Sequence, residues 1–107
     1  MTDFYLVVAD QIDNTQRTQI QHVIREHAES WWHEFLDVWI VKGGESLSFW
    51  LKELRAIVPV KPSGILILKL PPDGSRAYAS RAGASLTWLK EEYMGRKPTK
   101  AIESEGS

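Results

Sequence analysis

The sequence predicts an α+β fold of the ferredoxin-like kind, a βαββαβ sandwich in which two helices cover one face of a four-stranded antiparallel sheet. Segments with strand and helix patterns follow one another in the order βαββαβ. The right-handed crossover rule leaves few ways to connect two such halves, and this sandwich is the commonest. The strands that begin near Phe4 and Val38 are then central. We expect one domain over residues 1–95, including an added C-terminal helix.

Composition sets the limits on size and class. The chain has 107 residues, 43% hydrophobic and 25% charged, which suits one domain with a single core. Its formal net charge of -1 gives no overall attraction to nucleic acid or to an anionic membrane. It has no cysteine, which excludes disulfides and thiolate metal sites. No apolar run approaches the roughly 18 residues of a membrane helix. We therefore expect a cytoplasmic protein without a membrane partner.

The first strand and helix have clear signals. Residues 4–9 are apolar on both alternating faces, which is typical of a buried central strand. Asp13 and Gln16 have the spacing of a capping box with Asp13 as the N-cap. Apolar residues then recur at helical spacing, at Ile20, Val23, Ile24 and Ala28. The pattern predicts a helix over about residues 14–29.

The stretch 31–44 organises the rest of the chain, because it holds three of the five tryptophans and ends in two glycines. Up to Phe35 the odd positions carry the aromatics Trp31 and Phe35, but every residue from 38 to 41 is apolar, so the period of two fails near Leu36 and Asp37. This break predicts one strand over about residues 31–36, a sharp turn at Asp37, and a second, better buried strand over 38–42.

The second half repeats the helix and strand. Ser46 can cap a helix whose apolar stripe comprises Leu47, Trp50, Leu51, Leu54, Ile57 and Val58. The helix must stop before Pro59, since the residue before a proline is steered away from helical angles. Residues 65–70 are mostly apolar and predict the fourth strand.

After the fourth strand the signals are weaker. Residues 77–79 predict a short edge strand, and residues 85–94 predict a third helix that Gly95 and Pro98 end. Residues 96–107 are polar, with charges of both signs and no periodicity, so we expect a flexible tail.

The predicted sheet is apolar on both faces, although helices cover only one of them. Leaving the other face in water would create a large apolar patch. The C-terminal segment could cover it, and so could a second subunit across a two-fold axis. We expect a homodimer that uses both.

Several segments together resemble small bacterial proteins of the SinR-like family. They are Trp31-Trp32-His33, Leu36-Asp37, Trp39-Ile40-Val41-Lys42, Leu68-Lys69-Leu70, Gly83-Ala84-Ser85 and Trp88-Leu89-Lys90-Glu91. The resemblance spans residues 4–95. It implies a fold similar to that of the small CRISPR-associated spacer-acquisition protein and the VapD-like toxin nucleases, which are dimeric. A regulatory or accessory role in a bacterial or phage defence or toxin context is the function that it implies.

The same resemblance implies a metal site. In the wider group an aspartate at the end of the first strand is the proposed metal ligand. The matching residue is Asp10, and Asp13 nearby is the second candidate ligand, with Arg17 beside them. A carboxylate with water ligands suits Mg²⁺ or Mn²⁺, and a dimer would bring two such groups together for nuclease chemistry. The structural alternatives are that Asp10 ends the strand by bonding the turn backbone and that Asp13 caps the helix.

Basic residues give a second kind of candidate site. Arg17 and Arg25 lie eight apart on one predicted helix, so both can face one phosphate-bearing ligand, and Lys42 precedes two glycines in an anion-binding pattern. His33, in the aromatic strand, could act as an acid or base if it faced a cleft. The alternatives are a solvated helix face and a packed histidine.

Aromatic residues allow a third function. Sheets of the same βαββαβ order bind RNA by stacking bases on aromatics of the central strands, and Tyr5 and Trp39 could hold such positions. The alternative is that the large aromatics, Tyr5, Trp31, Trp32 and Trp39, anchor the core or a dimer interface.

Overall fold

A computed structural model describes residues 2–59, 61–72, 74 and 86–95. The chain divides into two compact units, Met1–Leu70 and Pro71–Ser107. The first contains β1 (Asp3–Asp10), α1 (Asn14–His27), β2 (Ser30–Phe35), β3 (Val38–Gly43), α2 (Leu47–Arg55) and β4 (Gly64–Lys69). Among the described residues, no helix combines the length and the apolar character that crossing a membrane requires.

The four strands form one antiparallel sheet in the order β2-β3-β1-β4. This order confirms the predicted ferredoxin-like topology, with β1 and β3 at the centre. Val7 of β1 lies opposite Trp39 of β3 and Ile67 of β4. Because side chains alternate along a strand, these three residues point to the same face of the sheet.

The core lies on the face that the helices cover. It consists of Tyr5, Val7, Ala9, Ile20, Ile24, Trp39, Val41, Trp50, Leu54 and Val58. The other face carries the alternate residues of the same strands and is also apolar. There Leu6 lies opposite Ile40 and Leu68, and the side chains of Leu66 and Leu68 are 50% and 47% exposed. Both faces of the sheet are therefore apolar, as the sequence predicts.

Helix α1 begins with the predicted capping box. The backbone N–H of Gln16 donates to Asp13 Oδ1 at 2.8 Å, and the backbone N–H of Asp13 donates to Gln16 Oε1 at 2.9 Å. Asp13 is thus the N-cap. The helix ends at His27, two residues before the predicted end. Just before β2 begins, the backbone N–H of Glu29 donates to the Lys42 carbonyl of β3 at 2.8 Å, instead of continuing the helix.

The predicted break between two strands is a tight turn at Leu36 and Asp37. The pairing of β2 with β3 shifts register between Trp32 and Phe35, which accounts for the interrupted alternation of aromatics. The turn is fixed to β1, since the backbone N–H of Ala9 donates to the Asp37 carbonyl at 3.0 Å.

Helix α2 has the predicted cap, with Ser46 Oγ accepting from the Phe49 backbone N–H at 3.1 Å. It ends at Arg55, earlier than the apolar stripe indicates. Ile57 and Val58 instead close a turn by donating to the Leu54 carbonyl, so Val58 still reaches the core.

In the second unit, residues 71, 72, 74 and 86–95 are described. A π-helical segment, Leu89–Tyr93, lies within the predicted third helix. The Tyr93 hydroxyl donates to the Pro71 carbonyl at 3.1 Å. The predicted strand at 77–79, the start of the third helix at Ser85 and the tail at 96–107 lie outside the described residues.

Candidate functional site

A cleft of about 310 Å³ lies between α1 and β2. Its lining consists of Arg17, Thr18, Gln21, His22 and Arg25 from α1 and His33 from β2. The α1 residues occupy successive turns of one helix face, because positions three and four apart are neighbours on a helix surface. All six lining residues have polar side chains, among them two guanidinium groups and two imidazoles.

Arg17 is held at one end of the cleft by two hydrogen bonds. Its Nε donates to Asp37 Oδ1 at 2.7 Å, and its Nη1 donates to Asn14 Oδ1 at 2.5 Å. The hydrogen bond to Asp37 raises the pKa of Arg17. The guanidinium is therefore fixed in place and stays charged, and its Nη2 has no hydrogen-bond partner among the described residues.

Gln21 joins the cleft to the core. Its Oε1 accepts a 2.7 Å hydrogen bond from Nε1 of Trp39, whose side chain is fully buried. An indole N–H can only donate, so the amide oxygen must face Trp39. The amide nitrogen Nε2 makes no hydrogen bond with another described residue, and it is the group that Gln21 offers to a ligand.

His33 is held by the same tryptophan. Its ring stacks on Trp39, with centroids 4.4 Å apart and planes inclined by 22°. Its Nε2 lies 2.7 Å from the Leu36 carbonyl oxygen. A carbonyl only accepts, so Nε2 carries a proton, and Nδ1 has no hydrogen-bond partner in the described part of the chain.

Arg25 is the uncompensated cation of the cleft. Its side chain is exposed, and it has no ion pair or hydrogen bond with another described residue. His22 lies 3.4 Å from Glu26, with both side chains more than half exposed, so this contact is weak. The cleft therefore presents mainly hydrogen-bond donors and positive charge, which suits an oxyanion.

The cleft brings together three of the predicted site residues, Arg17, Arg25 and His33. Lys42 does not join them. It lies on the opposite face of the sheet, where its ammonium group is 5.9 Å from the centroid of the Phe4 ring.

The two carboxylates predicted as metal ligands have protein partners. Asp10 is exposed at the end of β1, where Gln11 Nε2 lies 3.5 Å from its Oδ2. Asp13 is engaged in the α1 cap. Within the described ranges, no three His, Cys, Asp or Glu side chains form a group that could hold a metal ion.

The large aromatics belong to the packing of the first unit. Tyr5 and Trp39 lie in the core on the helix-covered face, and Trp31 packs against that core. Trp32 is buried and meets Phe35 edge to face, with ring centroids 5.0 Å apart. Tyr5 and Trp39 are therefore not accessible to bases. The predicted stacking of RNA bases on these two rings is wrong, because both rings are buried.

Sequence reasoning missed Thr18, Gln21 and His22 as cleft residues. Their spacing from Arg17 and Arg25 places them on one helix face, and that signal was readable. What the sequence did not indicate is that His33 of β2 and the buried Trp39 lie beside this face.

Comparisons of the chain with protein-family models, curated proteins and solved structures found no match.

Proposed function

We propose that the protein is a cytoplasmic, homodimeric binding module that holds the phosphate groups of nucleic acid in the α1–β2 cleft. Its role is regulatory or accessory, in the bacterial or phage defence or toxin setting that the SinR-like resemblance implies. The observation that carries the proposal is the joint presence of Arg17, Arg25 and His33 in one cleft.

Arginine suits this task because its guanidinium fork matches the oxygens of a phosphate. Eight residues separate Arg17 from Arg25, which corresponds to about 12 Å along the helix axis. Two arginines whose backbone positions are that far apart along the helix favour an extended polyanion over a small ligand. Contacts of this kind fix affinity and register without reading the base sequence.

Binding of a fluorescent oligonucleotide to the wild type and to Arg25→Ala tests the proposal. Loss of one charge-assisted contact is expected to weaken binding roughly tenfold and to lower the salt dependence by about one counterion. Arg55→Ala is the matched control, because Arg55 is an equally exposed arginine on α2 that does not line the cleft. Equal losses in the two variants would contradict the proposal.

The homodimer is supported by the sheet face that lies opposite the helices. Leu66 and Leu68 of the edge strand β4 are about half exposed, and they continue an apolar surface through Leu6 and Val8 of β1. A second copy related by a two-fold axis would bury these side chains against their own equivalents.

A second candidate function is a Mg²⁺- or Mn²⁺-dependent nuclease. The exposed carboxylate of Asp10 at the end of β1 favours it, since a dimer could pair two such groups around a metal. It requires metal-dependent cleavage of RNA or DNA that Asp10→Ala abolishes without loss of folding. The binding module predicts the opposite, namely unchanged oligonucleotide binding by Asp10→Ala and no cleavage with either ion.

A further inference from the structure

We infer that Gln21 forms a phosphate subsite in the cleft and determines its specificity, with Trp39 as the residue that positions the amide. The inference rests on the proposed function for the identity of the cleft as a binding site. It adds the chemical class of the ligand group, a deprotonated phosphate oxyanion, and the residue that selects it.

The orientation of the Gln21 amide is the first step. A free glutamine can turn either its oxygen or its nitrogen toward a ligand, and so it does not discriminate. Here the buried indole N–H of Trp39 holds Oε1 at 2.7 Å. Turning the amide over would place two donors together in a protein interior, which leaves both unsatisfied. Gln21 is therefore a donor to the cleft in every favourable arrangement.

The neighbours of Gln21 are donors as well. Arg25 lies one turn further along α1 and is free of ion pairs with other described residues, while Arg17 lies one turn before and offers Nη2. A phosphate oxygen accepts from such groups and carries the opposite charge, whereas an ammonium group only donates and would meet other donors. The subsite thus favours an anionic acceptor such as a phosphate oxygen through hydrogen bonding and charge together.

Trp39 positions His33 through stacking and Gln21 through a hydrogen bond. The fully buried side chain of Trp39 therefore positions two of the residues that line the subsite, His33 and Gln21. The indole N–H of Trp39 therefore reports ligand binding at the subsite. A ligand that accepts a hydrogen bond from the Gln21 amide changes the hydrogen bond between Gln21 and Trp39.

Titration with inorganic phosphate, followed by nuclear magnetic resonance of side-chain N–H groups, tests the inference. The Gln21 amide signals and the Trp39 indole signal are expected to shift together on binding, while the Trp50 indole, which has no such bond, stays in place. The Trp39 signal is identified by its disappearance in Trp39→Phe.

Two substitutions of Gln21 test whether its amide N–H donor contributes to phosphate binding. Gln21→Glu keeps an oxygen that accepts from Trp39 but replaces the donor with an anion, so phosphate affinity is expected to fall at least tenfold, since a charged contact is worth roughly 1.5–3 kcal/mol. Gln21→Met removes both the donor and the oxygen that accepts from Trp39, without adding charge, and is expected to lower the affinity several-fold; circular dichroism checks that the variant is folded. Gln19→Glu is the control, because Gln19 is exposed on α1 outside the cleft.

The possible results separate the inference from the proposed function. Unchanged phosphate affinity in both Gln21 variants, with oligonucleotide binding intact, overturns the subsite and leaves the binding module standing. Phosphate binding that depends on Gln21, without any oligonucleotide binding, supports the subsite and overturns nucleic acid as the ligand. Losses that are equal in Gln19→Glu and Gln21→Glu would also overturn the inference, because they would reflect net charge alone.

Discussion

The indole nitrogen of Trp39 donates a 2.7 Å hydrogen bond to the amide oxygen of Gln21, so a core residue positions a cleft residue. Trp50 occupies the same core and is also fully buried, but its indole nitrogen has no hydrogen-bond partner among the described residues. The two tryptophans therefore differ in whether their one polar group is satisfied. This difference gives the first prediction.

Trp39→Phe is expected to destabilise the protein more than Trp50→Phe. Both substitutions remove part of a buried ring, but the first also removes a hydrogen bond, which is worth about 1 kcal/mol. The second removes a donor that was already unsatisfied, which offsets part of the lost packing. Urea unfolding of the two variants measures the difference, and equal midpoints at equal slopes would contradict it.

The fold could be predicted from the sequence because its signals are local. The capping pattern at Asp13 and the failed alternation at Leu36 each depend on a few neighbouring residues, and the crossover rule then left one common topology. Helix α1 ends two residues before the predicted end, since the Glu29 backbone N–H bonds to the Lys42 carbonyl, a partner that is distant in sequence.

The cleft was predictable only in part. Helical spacing places Arg17 and Arg25 on one face of α1. The contribution of His33 to the cleft depends instead on the pairing of β2 with β3, which turns His33 toward α1. The register shift between Trp32 and Phe35 belongs to that pairing. The two glycines after Lys42 predict anion binding, but Lys42 alternates with Trp39 and Val41 along β3 and therefore lies on the opposite face of the sheet.

Asp13→Ala is expected to lower the free energy of unfolding by about 1 kcal/mol, the usual cost of losing an N-cap. The substitution removes the oxygen that accepts from the Gln16 backbone N–H. Ser46→Ala, which removes the corresponding cap of α2, should cost a similar amount. Thermal or urea unfolding compares them, and a stability equal to the wild type in Asp13→Ala would show that the cap does not contribute.

The ion pair between Arg17 and Asp37 is expected to stabilise the protein equally at about pH 7 and about pH 10, because arginine stays charged throughout this range. The hydrogen bond to Asp37 raises the pKa of Arg17 above its unfolded value. A raised pKa contributes stability that is complete below the unfolded pKa and is lost only as the pH passes the folded one. Arg17→Gln should therefore lower the unfolding midpoint by the same amount at both values. A difference that shrinks at the higher pH would contradict this account.

Leu68→Glu tests the homodimer. Leu68 is 47% exposed on β4, on the face of the sheet opposite the helices, and it lies across from Leu6 of β1. In a dimer that uses this face, the substitution would bury an unpaired carboxylate, which costs about 3 kcal/mol or more. The dimer dissociation constant should then rise by roughly a hundredfold, while circular dichroism shows a folded chain because the side chain points away from the core.

Leu51→Glu is the matched control for this experiment. Leu51 is a leucine of similar exposure, 40%, but it lies on α2 and therefore on the helix side of the sheet. Sedimentation equilibrium should show a dimer for the wild type and for Leu51→Glu, and a monomer for Leu68→Glu. A wild type that is monomeric at every concentration would remove the dimer from the proposed function. A dimer that only Leu51→Glu dissociates would move the interface to α2, and the exposed leucines of β4 would then need another explanation.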